Sequence, residues 1–307
     1  MDLLDQLKTY STVVADTGDL GVIEKFRPRD ATTNPSVVLK TVMEQPYFLK
    51  NILTLYDGWG SDQILDRLVV EMGVEILKII PGRISTEVDA HLSFDAVATA
   101  NKARELIDLY RAKGISRRSV LIKIAATWEG IQAAKVLEKE GIHCNMTLVF
   151  SLEQAVACAE AGVTLISPFI GRILDWYQLN NPEALVAGFD PGVESVRRIF
   201  SYYKKWGYKT EIMAASFRNV GEITALAGCD LLTISPRLLE QLTQTEGIVS
   251  NEMESIGGEW ERKMALKEPD FRLALNENRM ATEKLSEGIR LFCRDIRKLN
   301  GLIAERL

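Results

Sequence analysis

Histidine and cysteine are scarce. The 307 residues include two histidines, His91 and His143, and four cysteines, Cys144, Cys158, Cys229 and Cys293. No H-E-x-x-H-like spacing and no C-x-x-C pair is present, which argues against a zinc site. Scattered single thiols suit a reducing compartment and behave as small buried hydrophobes, so a cytoplasmic location is expected. Acid–base chemistry then falls to Asp, Glu, Lys or Tyr. An excess of one charge is also missing: 42 acidic and 37 basic residues leave a net charge of −5, and neither nucleic acid nor an anionic membrane is expected as a partner. No apolar run approaches the roughly 20 residues that span a bilayer. The opening "MDLLDQLKTY" lacks the basic start and apolar core of a secretory leader. No G-x-G-x-x-G or P-loop follows an early apolar run, which weakens an open, doubly wound nucleotide-binding sheet.

What is present is a repeated punctuation mark. The apolar fraction is 47%, enough for a sizeable core. Along the chain a helical stretch ends in glycine and an apolar run follows: "VEMGVEILKII", "RAKGISRRSVLIKIAA", "EKEGIHCNMTLVF", "AEAGVTLISPF", "KKWGYKTEIMAAS" and "ALAGCDLLTIS". Glycine just past a helix end adopts the left-handed conformation at low cost, so Gly73, Gly114, Gly141, Gly162, Gly207 and Gly228 each read as a helix end feeding a strand. Two more strands are expected upstream, in "STVVADTGD" and "RDATTNPS". Eight strands alternating with helices such as Asp95 to Lys113 and Glu153 to Ala161 predict an α/β fold, a closed (β/α)8 TIM barrel, with the open sheet as alternative. From Thr282 onward Leu285, Ile289, Phe292, Ile296, Leu299 and Ile303 fall on one helical face. No strand follows, so this is an additional C-terminal helix packed on the barrel. Residues 246–270 read mainly as loop. No linker divides the chain, and one barrel domain over residues 1–307 is expected.

Barrel sites lie at the C-terminal ends of the strands, and alternation predicts which side chains share a face. Asp16 goes with Val14, Thr32 with Asn34, and Lys123 with Leu121 and Ala125. His143, Asn145 and Thr147 share one face of their strand; Leu165, Ser167 and Phe169 go together, as do Ala214, Ser216 and Arg218. A barrel interior is normally filled by branched apolar groups, so several polar residues at one mouth suggest a site. Singly, each Ser, Thr or Asn could equally cap a helix. Two lysines sit in apolar runs, Lys78 in "VEILKIIPG" and Lys123 in "LIKIAATWEG". A lysine in an apolar strand more often snorkels outward; one kept inside as the neutral amine is a nucleophile for a ketone. Periodicity leaves open which of the two points inward. Arg172 and Arg218, after the sixth and seventh strands, suggest an anion clamp, since guanidinium forks match phosphate geometry.

The segments "VVADTGD", "DATTNPS", "EILKIIPGRISTEVDA", "LIKIAATWEGI", "CNMTLVFS", "LISPFIGRILDWY", "MAASFRN" and "LAGCDLLTIS" follow one another as they do in transaldolases, and nearly the whole chain resembles the longer bacterial type of these class I, Schiff-base aldolases. "KIAAT" departs from many members, which carry serine at the position of Ala126. The resemblance implies that Lys123 forms the Schiff base, that Asp16 is the acid–base residue for the carbon–carbon bond, and that Glu87 and Thr147 handle a catalytic water. It implies that Asn34, Asn145 and Ser167 bind donor hydroxyls and the intermediate, that Arg172, Ser216 and Arg218 form the phosphate side, and that Phe169 lines the pocket. The bland alternatives are that Asp16 caps a helix through the "DTGD" turn and that Glu87 belongs to a helix start with a Thr86/Asp89 capping box.

The implied reaction moves a dihydroxyacetone unit from sedoheptulose 7-phosphate or fructose 6-phosphate to glyceraldehyde 3-phosphate or erythrose 4-phosphate, in the non-oxidative pentose phosphate pathway. The implied partners are phosphorylated sugars and a second copy in a homodimer. No metal or organic cofactor is expected, because the protonated Schiff base is itself the electron sink. The rival readings are an aldolase that releases free dihydroxyacetone, a metal-assisted isomerase and a non-catalytic sugar-phosphate-binding barrel.

Overall fold

Five of the six glycines of the repeated pattern lie in the left-handed region, Gly114, Gly141, Gly162, Gly207 and Gly228, with φ between 67° and 99°. In the computed structural model, which describes residues 1–306 other than 187, 258, 259 and 261, four of them lead directly into strands of one sheet. The described residues form eight parallel strands closed in sequence order into a barrel. They are β1 (Thr12–Asp16), β2 (Asp30–Thr32), β3 (Ile84–Glu87), β4 (Val120–Ala125), β5 (Cys144–Val149), β6 (Leu165–Pro168), β7 (Glu211–Ala214) and β8 (Leu231–Ile234). Every residue of β4 and β5 is buried, as expected where a parallel sheet is covered on both faces. The fold is therefore a (β/α)8 barrel.

Polar residues start the helices that follow the strands. Asp95 caps Ala96–Ala112 by accepting from the Ala98 N–H, and Thr127 caps Trp128–Lys139 by accepting from the Gly130 N–H. Ser151 and Gln154 form a capping box on Leu152–Glu160. Gln154 does more. Its Oε1 accepts from the N–H groups of Phe150 and Ser151, and its Nε2 donates to the carbonyls of Ala126 and Leu148. It thus ties the end of β4 to an irregular end of β5, where the register with β6 shifts and Leu148 takes φ 57°.

The barrel floor is plugged by Val14, Leu121, Leu165, Met213 and Leu231. These residues set the inward parity of their strands. They put Asp16, Lys123, Ser167 and Phe169 inward, as alternation predicted. On β7 the expected parity is overturned. Met213 faces in and Ala214 packs in the outer core, while Ala215 joins the mouth cluster. Ser216 reaches the mouth by a left-handed backbone, φ 67°, a conformation that costs a non-glycine residue on the order of 1 kcal/mol.

A second expectation fails at "VEILKII". Gly73 and the residues after it continue the helix Ser61–Leu77, and the third strand comes later, at Ile84–Glu87. The physical reason lies in packing. Gly73 sits where a Cβ would come 1.8 Å from the Tyr110 hydroxyl, so the glycine admits a neighbouring helix instead of ending its own. Lys78 is the exposed helix-end residue, 2.6 Å from Glu75.

The C-terminal helix, Arg279–Ala304, is amphipathic as predicted, and it crosses the barrel mouth. Leu285, Ile289, Phe292 and Ile296 pack with Ala125, Leu148, Phe150, Phe169 and Ala215, while Leu299 and Ile303 join the main core. Burial of each such side chain stabilises by roughly 1.5–3 kcal/mol. Gly288 permits the close approach: a Cβ there would lie 2.6 Å from Leu148 Cδ2 and 3.3 Å from Arg172 Nη1. Between residues 246 and 267 the described residues form neither helix nor strand.

Candidate active site

Register builds the centre of the mouth. Glu87 on β3 aligns with Lys123 on β4, and Lys123 aligns with Asn145 on β5. Aligned residues on neighbouring parallel strands point the same way, about 4.8 Å apart, so three polar side chains stand in a row. On the next row Ala125 aligns with Thr147.

Lys123 is 3% exposed. Its Nζ donates to the Thr33 carbonyl at 3.3 Å and lies 3.2 Å from Glu87 Oε2. This is an ion pair without hydrogen-bond alignment, because Glu87 Oε2 has no hydrogen-bond partner among the described residues. Burial holds the Glu87 carboxyl above the usual glutamate range, against the downward pull of Lys123 and Arg172. Burial likewise raises Asp16, again opposed by Lys123 and Arg172. Both carboxylates are therefore stronger bases than surface ones. Neither is a cap. Asp19 caps the helix after β1 by accepting from Gly21 and Val22, and Asp89 caps the turn after β3 by accepting from the His91 N–H. Thr86 instead bonds the Tyr110 hydroxyl at 2.5 Å.

Asn145 is fully buried. Its Oδ1 accepts from Ser167 Oγ at 2.6 Å, and its Nδ2 donates to Ser85 Oγ at 3.1 Å. This links β3, β5 and β6 across the barrel interior. Thr147 Oγ1 is buried with no hydrogen-bond partner among the described residues. Asn34 caps the helix Pro35–Glu44 through Oδ1, which accepts from the Val37 N–H at 2.9 Å. Its amide Nδ2 makes no hydrogen bond among the described residues, so capping leaves a free donor on the same side chain.

The arginines approach from the opposite side. Arg172, in the first turn of Ile170–Asn180, lies 5.0 Å from the Phe169 ring centroid and 5.7 Å from that of Phe292. Phe169 also packs edge-on against Phe150, 5.8 Å away. Burial, followed by the Arg218 charge, lowers the pKa of Arg172, and its Nη1 has no hydrogen-bond partner among the described residues. Arg218 is held by Asp175, with Nη2 to Oδ2 at 2.6 Å and Nε to Oδ1 at 3.0 Å, and its Nη1 donates to the Ser216 carbonyl and Oγ. Gly171 lets the two segments meet, since a Cβ there would lie 2.2 Å from the Ser216 carbonyl oxygen.

All eleven residues expected from the sequence thus lie at one end of the barrel. Ser85, Thr33, Asp175 and Thr233 were not anticipated. Ser85 stands two residues before Glu87 on β3, and parity would have found it had that strand been placed correctly. Thr233 is likewise two residues beyond inward Leu231 on β8, and its Oγ1 has no hydrogen-bond partner among the described residues. Asp175 meets Arg218 across 43 residues of sequence, and no local pattern signals that pairing.

The arrangement combines a buried amine, two basic carboxylates, unpartnered hydrogen-bonding groups and two guanidiniums. It can bond covalently to a carbonyl, move protons at two places and bind an anion. The family model described as Transaldolase/Fructose-6-phosphate aldolase matches residues 13–303 of this chain.

Proposed function

The chain belongs to that enzyme family, and from this premise we propose that it is a transaldolase. It moves a dihydroxyacetone unit from a ketose phosphate, sedoheptulose 7-phosphate or fructose 6-phosphate, to an aldose phosphate such as glyceraldehyde 3-phosphate or erythrose 4-phosphate. The observation that carries the reading is Lys123, buried and 3.2 Å from Glu87 at the closed end of the mouth.

Lys123 Nζ attacks the C2 ketone. The resulting carbinolamine loses its hydroxyl as water, with Glu87 supplying the proton and Thr147 Oγ1 positioning the oxygen. The product is an iminium between Lys123 and C2. Asp16 then takes the proton of the C4 hydroxyl, the C3–C4 bond breaks, and its electron pair flows into the iminium to give an enamine. The aldose phosphate departs with its anion on Arg172, Arg218 and Ser216. Asn34, Asn145 and Ser167 keep the three-carbon unit by hydrogen bonds to its hydroxyls. A second aldose phosphate accepts C3 of the enamine, and Asp16 returns its proton to the new hydroxyl. Transfer requires that the enamine escape protonation by water. The apolar cover from the C-terminal helix supports that requirement, as does Phe169, which has no hydroxyl with which to hold a water near the enamine.

The test is borohydride trapping with fructose 6-phosphate, followed by peptide mapping, together with product analysis with and without acceptor aldose. Reduction should mark the peptide containing Lys123, and the three-carbon unit should leave only when an acceptor is present. Release of free dihydroxyacetone without acceptor would make the protein an aldolase, and a label on the Lys78 peptide would refute the site. Lys123→Met should lower transfer at least about 1,000-fold with the circular dichroism spectrum unchanged.

A further inference from the structure

Behind Glu87 the protein contains a cavity of about 220 Å³. It is bounded by the helices Pro35–Glu44 and Ser61–Leu77, the turn after β3 and the C-terminal helix, which contributes Ile296 and Leu299. Thr33, Asn34 and Glu87 line its inner end, and exposed Asp62 lies at its outer end. Neither the arginines of the phosphate side nor Lys123, Ser167 or Phe169 contributes to the wall. The volume holds several waters and falls below the roughly 300 Å³ of a small-molecule pocket. The wall is mixed: Leu65 and Val69 are apolar, while Asp66 is paired with Lys102 at 2.7 Å. Glu87 is the group that gives the cavity a chemical role. Its side chain lines the inner end and is 5% exposed, while its Oε2 lies 3.2 Å from Lys123 Nζ, so the residue stands between the lysine and the cavity.

We propose that this cavity is a water chamber serving Glu87, meeting the sugar site at Asn34 and opening away from the phosphate side. The inference rests on the Schiff-base reading above and deepens it. When the C2–O bond of the carbinolamine breaks, the hydroxyl takes a proton from Glu87 and leaves as water, and the nitrogen lone pair forms the iminium. In the reverse step a water adds to C2 and gives a proton to Glu87, and the amine is then expelled to restore the ketone. One water must leave the site and later re-enter during each turnover, while water on the sugar side would quench the enamine. A reservoir opening behind Glu87, on the side of the lysine away from Arg172, meets both demands. The apolar half of the wall keeps its waters loosely held and quickly exchanged.

The test fills the chamber from its wall. Val69→Phe places a ring in the cavity, and Val69→Ser enlarges and wets it. The full-length protein is given fructose 6-phosphate in ¹⁸O-labelled water, and label entering the C2 carbonyl is followed by mass spectrometry after correction for spontaneous exchange. Val69→Phe should slow enzyme-catalysed exchange roughly tenfold, with KM for the ketose and the equilibrium yield of borohydride-trapped adduct unchanged. Val69→Ser should not slow it. Wild-type exchange in a Val69→Phe protein that melts normally overturns the proposal. So does a raised KM with unchanged exchange at saturation, which would make the cavity the sugar's entrance. If Val69→Phe does not fold, Leu65→Phe makes the same test from the same helix. Absence of any Lys123 adduct in the wild type would refute the Schiff-base reading and this one with it. A normal adduct with exchange indifferent to both Val69 variants would refute the chamber alone.

Discussion

The two ends of the barrel treat buried polar groups in opposite ways. At the floor the carboxylates of Asp30, Glu138, Glu211 and Asp230 all have hydrogen-bond partners. Asp30 accepts from the backbone N–H and Nε of Arg83, each at 3.0 Å, and Arg83 reaches on to Glu211 at 2.6 Å. Glu138 gathers the N–H groups of Cys144 and Thr164, and Asp230 accepts from the Ile212 N–H. At the mouth Glu87 Oε2, Thr147 Oγ1 and Arg172 Nη1 are buried without hydrogen-bond partners among the described residues, although Glu87 Oε2 is ion-paired with Lys123. An unsatisfied buried polar group costs about 1–3 kcal/mol. The floor carries its polar groups as joints between strands. The mouth carries its own at the expense of stability, in positions where a substrate would complete them.

Replacing groups at each end sharpens that contrast. The largest expected effect is at the mouth. Asp16→Asn should reduce carbon–carbon cleavage about 100- to 10,000-fold and yet stabilise the fold. Burial raises the Asp16 pKa, so the folded chain retains a proton at a pH where the unfolded chain has already lost it. Its ionised form therefore costs stability as pH rises through the raised value, and the cost vanishes below the ordinary aspartate range. The variant should melt higher than wild type near about pH 7.5, with the gap closing towards about pH 4. The same shift places the acid limb of wild-type activity above the ordinary aspartate pKa. A variant that melts lower than wild type at neutral pH would break the comparison.

Asp30→Ala, at the floor, should do the reverse. It strips Arg83 of two hydrogen bonds, and urea unfolding should show a loss of about 3 kcal/mol with kcat of the folded fraction unchanged. A smaller effect is expected at the rim. Asp175→Asn keeps an acceptor for Arg218 but removes a negative charge beside the proposed phosphate site. Because the pair is about two-fifths exposed, solvent screening limits the gain, and KM for the ketose phosphate should fall only about threefold. A rise in KM would mean that the charge of Asp175 holds Arg218 in place.

Much of this architecture is legible without coordinates, for reasons that differ by element. Gly114 and Gly141 were readable because a left-handed helix end constrains the residue locally. The C-terminal helix was readable because six apolar side chains keep one face over about five turns. "VEILKII" was not, since a short apolar run suits a buried strand and a buried helix equally, and only Tyr110 against Gly73 discriminates. Asp16, Lys123 and Ser167 followed from strict alternation on β1, β4 and β6. Alternation failed on β7 and at the end of β5, where Ser216 and Leu148 have positive φ and the two-residue period no longer applies.

The sequence by itself determined the alternation of strand and helix, the closed parallel sheet that this alternation demands, and which strands bring a polar residue to their ends. Those properties depend on residues a few positions apart. Tertiary structure decided that Lys123 faces Glu87 while Lys78 faces solvent, that Asp175 meets Arg218, and that the last helix closes the mouth through Gly288. Each of these depends on segments distant in the chain meeting within a few ångströms, and no local pattern records which distant segment will come to lie there.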